Sequence, residues 1–75
     1  LMLKEIRQKR GLSQSQLADK AGITVRIIQH YEQGSRSIDG AKLNTLIDLA
    51  AALDCRISDI LISEELKNKC KKATL

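Results

Sequence analysis

Two helix starts and two helix stops crowd into the segment 13–34, and nothing else in this chain limits its fold so sharply. Ser13 stands before one apolar-periodic run and Thr24 before another. A hydroxyl at such a position can accept from the free amides of the first helical turn. Gly22 and Gly34 follow the two runs, and glycine is the residue that most readily takes the left-handed conformation closing a helix. Only Ile23 lies between the first stop and the second start. Isolated helices this short are marginal in water, so packing must hold the pair together. Ala18 lets the two axes approach, Gly22 allows the sharp turn, and Ile23 plugs the angle between them.

The remaining sequence is helical in character too. It has no proline and a single aromatic, Tyr31, so the core must be aliphatic. A first helix is expected over 2–10, with Leu3 and Ile6 on one face and Gly11 as its stop. The second presents Leu17 and Ala18 inward, and the third buries Ile28 and Tyr31. A fourth is expected over 41–53, with Leu43, Leu46, Ile47, Leu49, Ala50 and Leu53 at i, i+3, i+4, i+7 spacing. Asp54 follows it, a residue that tolerates the left-handed conformation. A fifth starts near Ser58, turns Ile60 and Leu61 inward, and can run on through Leu66. Between Gly34 and Leu43, Ile38 is expected to fold back onto the core. The expected fold is therefore all-α, a compact five-helix bundle in which helices two and three form a helix-turn-helix. Residues 1–65 are read as the domain and 66–75 as a basic tail that can prolong helix five.

Charge is distributed in blocks. Residues 1–36 carry seven basic groups against three acidic ones, 37–65 two against six, and 66–75 four against none. A basic half beside an acidic half suits one face to a polyanion and another to a different contact, although a solvated surface carries such charges as well. The tail admits three readings: a solvated helix end, extra phosphate contact or continuation into a further domain, and a polybasic lipid-associated segment. Cys55 and Cys70 form no disulfide framework; Cys55 is expected to fill core and Cys70 to be an exposed thiol. Neither has the spacing to His30 that a zinc site uses, so no metal, cofactor or small-molecule ligand is expected. With no leader and no apolar run of membrane-spanning length, the expected location is cytoplasmic.

The third helix turns Val25, Arg26, Gln29, His30 and Gln33 outward. Arg can grip the two acceptors of guanine as a fork, Gln can pair with adenine, and Val can touch a thymine methyl. At this point "LKEIRQKRGLSQSQLADKAGITVRIIQHYEQGSRS", continued by "LNTLIDLAAALDCRISDIL", resembles the Cro- and lambda-repressor-like (XRE-type) helix-turn-helix regulators over about residues 3–62. The marks are "GLSQSQLA", "AGIT" and "YEQG" at the right separations. The resemblance implies that Ser13 and Gln14 grip a phosphate and brace the reading helix. It implies base contact at Thr24, Val25 and Arg26, and on the next turn at Gln29 and His30. Gln33, Ser35 and Arg36 match the loop that touches the sugar-phosphate backbone, and Arg7 and Glu32 match an ion pair linking helices one and three.

The function expected from these residues is sequence-specific binding of double-stranded DNA in the major groove, as a transcriptional repressor or antitoxin-type autoregulator. Lys9, Arg10, Arg26 and Arg36 are the candidates for phosphate neutralisation. A homodimer is expected, paired through Leu61, Ile62 and Leu66 at the end of helix five. The alternative is a protein-interaction module that keeps the fold without specific DNA binding; acids at 25, 26 or 29 would favour it, and none is present. Single-strand RNA recognition leans on stacking aromatics, and Tyr31 is expected to be buried. Enzymatic activity is not expected, because no nucleophile has a base beside it and no paired carboxylates or glycine-rich phosphate loop occur.

Overall fold

The computed structural model describes residues 2–75; Leu1, where the expected domain begins, lies outside the described residues. The chain forms α1 (Met2–Lys9), α2 (Gln14–Ala21), α3 (Val25–Gln33), a 3-10 turn (Ile38–Gly40), α4 (Leu43–Leu53), α5 (Ile57–Ile60) and α6 (Glu64–Lys72), with no strand among the described residues. Ser13 caps α2 reciprocally with Gln16: its Oγ accepts from the Gln16 amide at 3.0 Å, and the Gln16 side chain accepts from the Ser13 amide at 2.8 Å. Gly22 ends α2 at φ +70° and Gly34 ends α3 at φ +80°. Space is free around both, so it is the left-handed backbone alone that asks for glycine there.

Leu17, Ile28, Leu49, Leu53 and Ile60 are fully buried at the centre, one or two from each of α2 to α5. Leu3 joins them from α1, and Ile38 from the 3-10 turn. The loop after α3 is therefore held down by its own apolar residue, as its sequence suggests. Asp39 fixes it further, accepting from the Ile62 amide at 2.8 Å and the Ser63 amide at 2.9 Å. A carboxylate at that place satisfies donors at the entry to α6 and suits the positive end of its dipole.

Several expectations are corrected. Among the described residues there are six α-helices rather than five. The fifth begins at Ile57, one residue before the expected Ser58, which is buried. It stops after one turn because Leu61 turns extended (φ −79°, ψ 158°) to reach the core. Ser63 then starts α6 afresh, with Glu64 and Glu65 in its first turn, so helix five does not run into the lysine tail. Of the three expected dimer residues, Leu61 is 3% exposed, Leu66 is half-buried against the core and Ile62 is exposed. Cys70, expected exposed, is half-buried and packed against the core, as is Cys55. Burial pushes the Cys55 thiol up, and the nearby Asp59 adds to this.

Helix α4 carries the plainest correction. Leu43 is 62% exposed and Ile47 48%, although both share the helical spacing of the buried set. The buried arc is centred on Leu46, Leu49, Ala50 and Leu53, where α2 and α5 cover the helix; Leu43 and Ile47 lie just outside it. Arg10 is exposed, yet part of its guanidinium also serves the fold. Its Nε donates to the Leu53 carbonyl at 2.7 Å and its Nη2 to that of Asp54 at 3.2 Å. A guanidinium there serves the orphan carbonyls and negative dipole end of α4.

Asp39→Ala removes two charge-assisted bonds and is expected to cost about 2 kcal/mol. Thermal melting should fall by about 8–16 °C, and hydrogen exchange at the Ile62 and Ser63 amides should lose protection.

Candidate nucleic-acid interface

The site is built backward from one buried ion pair. Arg7 on α1 reaches Glu32 on α3 with two parallel bonds, Nε to Oε2 at 2.7 Å and Nη2 to Oε1 at 2.9 Å. The side chains are only 10% and 4% exposed. Nη1 of Arg7 also donates to the Leu12 carbonyl at 2.9 Å, in the link between α1 and α2. Gln14, in the first turn of α2, donates through Nε2 to Oε1 of Glu32 at 3.1 Å. One carboxylate thus joins α1, α2 and α3, and it sets the rotation of α3 about its own axis.

That rotation decides what α3 shows to solvent. Ile28 and Tyr31 face the core, and Ile27 and Val25 lie half-buried against it. Arg26, Gln29, His30 and Gln33 follow one another at i, i+3, i+4 and i+7, so they line one side of the helix over about 10 Å. Arg26 and Gln33 are exposed, and Gln29 and His30 half-exposed. Glu32, the only acid of α3, is turned away and neutralised by Arg7. The outward side therefore carries donors, acceptors and positive charge with no carboxylate among them.

The other expected residues fall into three groups. Thr24 is exposed at the N-cap of α3 and makes no capping bond, so its hydroxyl is free; Arg36 is exposed in the loop after α3. Ser13 and Gln14 stand at the start of α2, but both already serve the fold, as cap and as brace. Ser35 and His30 form a pair of their own. Nδ1 of His30 lies 2.8 Å from Ser35 Oγ, which donates to the His30 carbonyl at 3.3 Å. In the neutral ring Nε2 is left to donate or accept according to the tautomer. Val25, of the expected outward set, packs partly against the core.

The structure adds residues that the pattern does not single out. A cleft of about 620 Å³ opens between α3 and the start of α4, lined by Tyr31, Arg36, Ser37, Lys42 and Thr45 among others. Tyr31 is 8% exposed and forms part of the cleft wall. No side chain caps α4, whose N-cap is Lys42. The first amides of that helix and two cations consequently border the same opening, an arrangement suited to anions. Lys42 sits in an acidic stretch of sequence, which is why charge counting passes over it.

A short helix, a tight glycine turn and a second helix held with a polar, acid-free side outward define the helix-turn-helix class. The helix-turn-helix family matches residues 3–60. The chain belongs to that family, the Cro- and lambda-repressor-like XRE type, whose members bind DNA. No curated protein and no solved structure matches it. Among the described residues no helix is long and apolar enough to cross a membrane, and no cluster of His, Cys, Asp or Glu could hold a metal ion.

Removing Glu32 strands a buried guanidinium, so Glu32→Ala should cost about 3–5 kcal/mol. A domain of this size has roughly 4–11 kcal/mol in total, so the loss is a large share of it, and urea titration should find the variant's midpoint strongly lowered. The pair also sets an acid limit. Burial pushes the Glu32 carboxyl up, but the bonds from Arg7 and Gln14 and the charges of Arg7 and Lys4 outweigh it and hold the group below its ordinary 4.5. The stability it gives is complete above that value and is lost as pH falls through the lowered one. Wild type should therefore lose stability on acidification below about pH 4.5, and Glu32→Gln should show a flatter profile there.

Proposed function

We propose that this protein is a sequence-specific reader of double-stranded DNA that lays α3 in the major groove and represses transcription, as a homodimer on a near-palindromic site in the cytoplasm. The observation carrying this reading is the acid-free stripe Arg26–Gln29–His30–Gln33, created by turning Glu32 inward onto Arg7. Arg26 offers the fork that suits guanine, Gln29 and Gln33 the amides that suit adenine, and His30 a ring nitrogen able to meet a base edge. Thr24 and Val25 stand at the entering end of the helix. Ser13, Gln14, Ser35 and Arg36 flank it as phosphate contacts, joined by Lys42 and the uncapped start of α4. Phosphate contacts supply salt-dependent affinity and fix the register; base contacts supply the choice of sequence. Repression needs only occupancy of a promoter, which a module of this size can provide. An antitoxin that regulates its own promoter would use the same interface.

The division of labour gives the test, made on a duplex selected from a random pool. Arg26→Ala should weaken binding by about 5- to 150-fold and relax the preference at one base pair. Arg36→Ala should weaken all duplexes alike and lower the salt slope by about 1. Arg10→Ala should leave the slope unchanged and lower the melting temperature instead, since its guanidinium holds Leu53 and Asp54. Equal binding of scrambled and selected duplexes by wild type would overturn the reading in favour of a protein-interaction module.

A further inference from the structure

The last turn of α3 and the loop behind it share one acceptor. The His30 carbonyl is among those that an α-helix leaves without an internal partner at its C-terminal end. It accepts from the Arg36 amide at 3.3 Å and from Ser35 Oγ at 3.3 Å. The chain thus folds back over His30 directly after Gly34 takes the left-handed conformation. Ser35 Oγ also lies 2.8 Å from Nδ1 of the His30 ring. One hydroxyl therefore meets the same residue twice, on its backbone and on its side chain.

These contacts limit what Ser35 can do. A hydroxyl has a single proton to donate, and a phosphate oxygen only accepts. The Ser35 proton goes to the His30 carbonyl, with Nδ1 donating to Oγ, or it goes to Nδ1 itself. In both arrangements it stays on His30, and none is left for a phosphate. What the hydroxyl does instead is hold the ring. An imidazole turns about its Cβ–Cγ bond between two broad orientations, and half a turn replaces Nδ1 by a carbon. A bond at Nδ1 chooses one of the two and fixes where Nε2 stands relative to Arg26 and Gln29 on the same stripe. A ring that must be ordered on binding costs affinity, and a ring already held avoids that cost. His30 is half-exposed and has no packed core around it to do this.

We propose that Ser35 is a positioning residue for recognition: it holds the His30 ring through Nδ1 so that Nε2 is presented to a base edge, and it acts on DNA only through His30. This replaces the phosphate contact that its family position gives Ser35, and it rests on the reading of α3 as the element that enters the groove. The free protein tests the first half. At one fixed pH, Ser35→Ala should shift the ring-nitrogen NMR signals of His30. Ser35→Thr keeps the hydroxyl and should hold them near wild type; Ser35 is not among the residues at positive φ, so a branched side chain suits its backbone. Ring signals unmoved by Ser35→Ala would overturn the proposal.

A double-mutant cycle on DNA tests the second half. Wild type, Ser35→Ala, His30→Ala and the double variant are titrated with a duplex selected from a random pool, and with duplexes altered at one base pair at a time. Ser35→Ala should weaken the selected duplex about 2- to 10-fold, the worth of one hydrogen bond. It should flatten the preference at the base pair where His30→Ala flattens it, and Ser35→Thr should restore that preference. In the His30→Ala background, Ser35→Ala should change affinity by less than about twofold. A loss that is equal on every duplex and persists without the histidine would show a phosphate contact and overturn the proposal. So would a lower melting temperature with base preference intact, the mark of a helix cap alone. Equal binding of selected and scrambled duplexes by wild type would overturn the DNA reading and the proposal with it, whereas a selective wild type with a uniform loss in Ser35→Ala overturns the proposal alone.

Discussion

The structure hangs on one carboxylate. Glu32 is the only acid in α3, and had it faced outward it would have set negative charge beside every group able to read a base. Turned inward, it meets the fork of Arg7 and the amide of Gln14, and the same three side chains tie α1, α2 and α3 into one body. Burying a charged pair costs desolvation that the bidentate geometry must offset. Its value is therefore less in stability than in orientation: the pair fixes which side of α3 looks out.

A second principle is that the basic side chains divide between fold and surface. Arg7 and Arg10 appear in sequence as part of a basic block, yet both bond internal acceptors: the buried Arg7 to Glu32 and Leu12, the exposed Arg10 to the carbonyls of Leu53 and Asp54. Arg26 and Arg36 are left to solvent. Charge counting cannot separate these pairs, because the difference lies in which helix end or carboxylate folding brings within reach. Arg7 was legible through its family position; Arg10 was not, since its partner is forty-three residues away in the chain.

The helix-turn-helix was readable almost completely, because its determinants are local: a hydroxyl at Ser13 with Gln16 three residues on, and glycines at 22 and 34. The loop anchor at Ile38 was readable for the same reason, as a lone apolar residue in a polar stretch. The end of the chain was not. The apolar run through Ile60, Leu61 and Ile62 hides the break at Leu61, although Ser63 followed by two glutamates is itself a helix-start signal. On α4, periodicity marked six apolar positions but not which would be covered. That depends on where α2 and α5 lie, and Leu43 and Ile47 fall just outside their shadow. Of the candidate site, the outward stripe could be drawn from the wheel of α3. The cleft with Tyr31, Lys42 and Thr45 could not, because it exists only between two elements.

The central claim is that the side of α3 freed by turning Glu32 inward is the side that meets DNA. Amide chemical-shift mapping of the isotope-labelled protein, titrated with the tightest-binding duplex from a random pool, tests it most directly. The account predicts the largest changes at residues 24–36, with a second group at 13 and 14 and little change along α6. Large changes confined to the lysines of α6, with α3 silent, would contradict it and reduce the interaction to a basic tail on a polyanion.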